Sequence, residues 1–140
     1  MLADAVARGA DDDPIMLAYL SLAELRLWSY DGERGTALAA QAERQARKAL
    51  LLEPTLGEAH LALGIHALLV ADAPVAARRF EEALRCNPAS GEVHERIGVL
   101  RCETGNIVHG LRDLQIALRL DGKLLGALWA SARALELSGD

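Results

Sequence analysis

The phrase "GEAHLALG", Gly57 to Gly64, returns thirty-four residues later as "GEVHERIG", Gly91 to Gly98. Glycine, glutamate, histidine and a second glycine come back in the same order. A phrase repeated at a period of this size marks a chain of stacked copies of one small unit, none able to bury its apolar face alone. The second glycine falls inside a predicted helix, where it costs about 1 kcal/mol against alanine. A cost incurred twice at the same place implies a shared need: a partner helix too close to admit a Cβ.

Composition agrees with helices. Hydrophobic residues make up 51% of the 140-residue chain and aromatic residues 4%, so the apolar content is mainly Ala and Leu. Both are strong helix formers, and no stretch alternates polar and apolar over the length of a strand. The net charge is −5 with the signs interspersed, and no basic run offers the electrostatic footprint of a nucleic-acid binder. No segment reaches the roughly 20 apolar residues of a membrane helix. The opening "MLADAVARGADDDP" lacks the pattern of a signal peptide, and Cys86 and Cys102 lack metal or redox spacing. These features predict a cytoplasmic protein with no membrane and no nucleic-acid partner.

With Gly57 as position 1, Leu63 and Gly64 stand at positions 7 and 8, and Ala76, Phe80, Ala83 and Pro88 at 20, 24, 27 and 32. In the next copy Ile97, Gly98, Gly110, Leu114, Ala117 and Gly122 occupy the same places. Over residues 57–124 the chain resembles the tetratricopeptide repeat family, whose pattern is Leu-Gly, a small residue, an aromatic, a small residue and a proline at these offsets. Leu114 departs from the aromatic and Gly122 from the proline. The resemblance implies an all-α, right-handed superhelical solenoid of antiparallel helix pairs.

The period predicts helices over residues 57–70, 74–86, 91–103 and 107–120, with turns at Ala71-Asp72 and Gly105-Asn106. Upstream, a helix starts at Pro14 behind Asp13 as N-cap. There Leu22-Ala23 is aligned with Leu-Gly, while Ala42, Ala46 and Ala49 take the later small and aromatic places. That alignment leaves seven extra residues, read as one added turn on each helix around "DGERG". The expected organisation is one domain, 1–140: a half-repeat 1–13, repeats 14–56, 57–90 and 91–124, and a half-repeat 125–140. In the last half-repeat, Leu124, Leu128, Ala132 and Leu135 are expected to pack on the repeat before it. Leu125, Trp129 and Leu137, like Leu2 and Val6 at the other end, are then left uncovered.

Side chains that often carry chemistry have plainer readings here. His60 and His94 share position 4, where packing explains them better than a metal, and His109 with Asp113 reads as a solvated pair. Glu58 and Glu92 suit the positive ends of their helices, and Glu81 and Glu82 an exposed face. No serine sits in a nucleophile turn and no phosphate loop occurs, so no enzyme, cofactor or metal is expected.

What remains is a groove. In the family the first helix of each unit lines a concave face. Here that assigns Leu17, Leu20, Ser21, Glu24, Leu27 and Trp28, then Glu58, Leu61, Ala62, Ile65, Leu68 and Leu69. It continues with Glu92, Glu95, Arg96, Val99, Cys102 and Glu103, then Gly126, Trp129, Ala130 and Arg133. No Lys or Asn stands among them, so capture of a peptide carboxylate, known in some relatives, is not carried over. The expected function is a non-catalytic protein-interaction scaffold binding a peptide or helix in an apolar concave groove. The alternatives are a regulatory or sensor module of a larger bacterial protein, or a self-associating module. A homodimer through the terminal helices is the expected form of self-association.

Overall fold

The computed structural model describes residues 13–28 and 35–139. They form seven helices: α1 (Pro14–Trp28), α2 (Gly35–Leu52), α3 (Gly57–Leu69), α4 (Ala73–Cys86), α5 (Gly91–Glu103), α6 (Ile107–Leu120) and α7 (Leu125–Ser138). No strand occurs among these residues. Contacts divide the chain into two compact units, one ending at Cys86 and one beginning at Asn87. Expectations for residues 1–12, including Leu2 and Val6, and for the "DGERG" loop lie outside the described residues.

The helix ends follow local chemistry. Asp13 Oδ1 accepts from the Ile15 N–H at 3.0 Å, so Pro14 opens α1 with no N–H to satisfy. Asp72 caps α4 through the Val75 N–H, and Ser90 Oγ caps α5 through the Val93 N–H. Gly105 takes φ 92° in the α5–α6 turn and Gly139 takes φ 78° after α7, both left-handed turns that glycine adopts without strain.

In the first unit α1 packs on α2, α3 on α4, and α3 also on α1 and α2. Gly64 lies under the Phe80 ring, where an added Cβ would stand 2.6 Å from Cδ1. Phe80 is wholly buried. The cost of glycine in mid-helix is offset by this contact.

The α1–α2 pair solves the same problem differently. The small first-helix site is Ser21, whose Oγ donates to the Ala42 carbonyl at 2.6 Å. Opposite it stands Ala46 where Phe80 stands in the next pair, so two small residues meet where the next pair sets a glycine against a ring. Ala42, Ala46 and Ala49 are fully buried. This corrects the alignment of Leu22-Ala23: Ser21, two residues earlier, occupies the glycine place, and Pro14 starts the repeat as Gly57 and Gly91 do. The extra residues therefore number nine. Two lengthen α1, four lengthen α2, and the rest lie in 29–34, outside the described residues.

In the second unit α5 pairs with α6, and α7 packs on both. Gly98 meets Leu114 and the Gly110 carbonyl, at 2.8 and 2.9 Å from a would-be Cβ. The face of α7 turned inward is Ala127 and Ala134, with Leu124 and Ala130 beside them. This corrects the expected stripe: Leu128, Ala132 and Leu135 point outward, because the two alanines let α7 lie closer than leucines would.

Candidate functional site

Three polar contacts tie second helices to first helices, each made by the residue just before the packed one. Gln45 Nε2 donates to Glu24 Oε1 at 3.4 Å, Arg79 Nη1 lies 3.4 Å from His60 Nδ1, and Arg101 Nη1 donates to Asp113 Oδ2 at 2.5 Å. Asp113 is mostly buried, so it needs that cation. The expected His109–Asp113 pair is therefore corrected: His109 bonds Asn106 Oδ1 at 2.8 Å, and the acid turns inward to Arg101.

His60 and His94 are used alike. Each Nε2 reaches the carbonyl of the proline six residues earlier, Pro54 at 3.2 Å and Pro88 at 3.0 Å. A carbonyl accepts, so Nε2 carries the proton and fastens the turn that precedes the helix. Among the described residues no three His, Cys, Asp or Glu side chains gather as metal ligands would.

The groove residues are scattered over different environments. Leu61, Ala62 and Ile65 are buried, Leu20, Glu58, Leu68 and Leu69 half-buried, and Leu27 exposed, while Leu17 is corrected from groove to core, packed with Ala49 and Ala59. Trp28 ends α1, and its side chain lies outside the described residues. Ser21 is corrected from groove to pair interface, as above. Glu24 turns to Gln45 of α2, and burial pushes its carboxyl up. Cys102 packs its sulphur on Gly110, and burial raises its thiol further than the nearby Asp113 and Glu103 do.

The second unit does bring several of the groove residues together. Val99, Cys102 and Glu103 of α5 face Trp129, Ala130, Arg133, Ala134 and Leu137 of α7 across a cleft of about 330 Å³. Its apolar walls are Val99, Ala130, Ala134 and Leu137. The Arg133 guanidinium lies over the Trp129 ring, 5.4 Å from its centroid, a cation–π contact on a ring 66% exposed. At the start of α5, Arg96 Nη2 stands 3.9 Å from Glu92. Glu95 lies against Gly126, which leaves room for it, and its carboxyl is raised mainly by burial.

Leu137 and Ala134 were not in the expected groove. The signal for Leu137 is its place at position 13 counted from Leu125, the place Glu103 holds in the repeat before, while Ala134 is read from the structure alone. On α1 the corrected register puts exposed Ile15 and Tyr19 at groove positions. The signal for it was available: Pro14 is a helix start equivalent to Gly57.

No protein-family model and no curated protein matches the chain. Solved structures do. TTC0263, a thermophilic TPR protein in Thermus thermophilus, superposes with a TM-score of 0.75 at 24% identity, covering 96% of this chain and 69% of that one. MamA gives 0.70 at 16% identity, covering 97% and 74%. An O-GlcNAc transferase of Thermobaculum terrenum gives 0.67 at 23% identity, covering 85% of this chain but 22% of the transferase. At these identities the likeness concerns architecture. Helix pairs of the observed length, glycine beneath a large side chain and a matching superposition lead to one statement: the chain has the tetratricopeptide-repeat fold.

Proposed function

We propose that the chain is a non-catalytic scaffold that binds a peptide or helix of another protein, with the cleft between α5 and α7 as the anchor site. The observation that supports this is the cleft itself: apolar walls, a volume suited to one or two apolar side chains, and a half-open tryptophan at its edge. An apolar anchor would bury against Val99 and Leu137, where each large side chain removed from water contributes about 1.5–3 kcal/mol. Glu103 and Arg133 on opposite walls favour a ligand carrying one charge of each sign beside its anchor.

Selection of a displayed peptide library on the full chain tests the reading. Recovered peptides should quench Trp129 fluorescence, read in a Trp28→Phe background. They should bind at least tenfold more weakly to Leu137→Glu, a change at a side chain 71% exposed. Equal binding to that variant overturns the cleft as the site.

A second reading, self-association, is favoured by one observation: α7 exposes Leu125, Leu128 and Leu135 together. Sedimentation of the chain at micromolar concentration separates the two. A monomer removes self-association, and a dimer dispersed by Leu128→Glu supports it.

A further inference from the structure

The first helix pair contains two buried acceptors that face no donor. Gln45 Nε2 donates to Glu24 Oε1, but Glu24 Oε2 and Gln45 Oε1 are both shielded from solvent and lack a partner among the described residues. An ionised carboxylate only accepts, and an amide oxygen only accepts. A buried acceptor left without a donor is costly. One proton removes the mismatch. A carboxylic acid offers O–H beside C=O, and a primary amide offers C=O beside N–H, so the two groups join by a pair of hydrogen bonds in one ring.

We propose that Glu24 and Gln45 form a proton-operated latch between α1 and α2. A proton from solvent settles on Glu24 Oε2 and is donated to Gln45 Oε1, while Gln45 Nε2 goes on donating to Glu24 Oε1. Loss of the proton leaves one long hydrogen bond and two acceptors without donors.

The surroundings suit this role. Burial raises the Glu24 carboxyl, while the single Gln45 hydrogen bond and Arg44 pull it down. The other charged groups on its neighbours are Arg26 on α1, Glu43, Arg47 and Lys48 on α2, and Glu58, His60 and His66 on α3. Glu43 is engaged by Arg47 and His66, and His60 by Pro54 and Arg79. The equivalent contact in the second unit, Arg101 with Asp113, joins full charges and needs no proton. The sign follows from the raised carboxyl. The folded chain holds this proton more tightly than the unfolded chain, so the contribution is complete below the ordinary value of 4.5. It is lost as pH rises through the folded value.

Carbon-13 NMR titration of glutamate carboxyls in the full chain, with Glu24 assigned by its absence in Glu24→Gln, reads the latch directly. The Glu24 midpoint is expected above 4.5. Gln45→Met keeps the burial and removes the amide. If the amide serves the protonated acid, the midpoint falls in that variant. If the amide merely supports the carboxylate, the midpoint rises. A rise or no change overturns the proposal, as does a wild-type midpoint at or below the ordinary value. Glu24→Gln forms the two-bond ring without a proton, so it should melt higher than wild type at pH 7.5. A lower melting temperature there also overturns the latch.

Discussion

The Ser21 hydroxyl donates to the Ala42 carbonyl at the place that Gly64 and Gly98 hold in the other two pairs, where Phe80 and Leu114 leave no room for a side chain. Serine fits there because α2 presents Ala46 where α4 presents Phe80 and α6 presents Leu114. At this crossing the first pair sets two small residues and a hydrogen bond where the other two pairs set a glycine against a large side chain. Ser21→Ala removes one buried hydrogen bond and should cost about 1 kcal/mol in urea denaturation. An unchanged midpoint would show that the hydroxyl contributes nothing there.

Gly64→Ala adds helix propensity yet drives a methyl into the Phe80 ring. Overpacking of this kind costs about 1–3 kcal/mol, more than the roughly 1 kcal/mol gained. The variant should be destabilised, and Phe80→Leu added to it should recover part of the loss in a double-mutant cycle. Simple additivity of the two changes would separate the residues energetically.

Phe80→Ala removes a wholly buried ring and should cost about 3–5 kcal/mol. Domains of this size hold about 5–15 kcal/mol in total, so thermal melting should fall by many degrees. A fall of only one or two degrees would contradict the burial of Phe80.

Two ion pairs should behave differently. Arg101–Asp113 sets a mostly buried carboxylate against a guanidinium 43% exposed, so solvent screening limits Asp113→Asn to about 1–2 kcal/mol. Arg85–Glu82 is exposed on both sides, and Glu82→Gln should change stability by less than about 0.5 kcal/mol. Equal effects in chemical denaturation would refute the distinction.

Both thiols should react slowly. Burial pushes the Cys86 thiol up, assisted by Glu82 and Glu58, and burial does the same for Cys102 beside Asp113 and Glu103. Each is therefore held protonated at neutral pH more firmly than an ordinary thiol. Alkylation by iodoacetamide at pH 7.5 should run slower than that of free cysteine, and a faster rate would overturn it.

The repeat was legible wherever one glycine met one large residue at fixed spacing. Gly57 to Leu120 reads correctly to within a residue at each helix end. The first pair was harder, because Ser21 with Ala46 satisfies the same packing and looks like no member of the pattern. Pair-wise volume is invisible to a reading that scores positions singly. The α7 stripe failed for a related reason. Leucines at helical spacing attract attention, but Ala127 and Ala134 win the inward face by allowing closer contact. The α7 wall of the cleft did follow the repeat: Trp129, Ala130 and Arg133 stand at the groove places read from the sequence, and Leu137 holds the place that Glu103 holds one repeat earlier.

The matching of the two helices within each pair also limits how the gene can be rearranged. A crossover between repeats that moves both helices of a pair together carries each complement intact. One that exchanges a single helix sets Phe80 against Ser21, or leaves Gly64 facing Ala46 across a void. The two-helix unit, cut at the "EPTLG" and "NPASG" turns, is therefore the piece that such a chain can duplicate, shuffle or lose in one step.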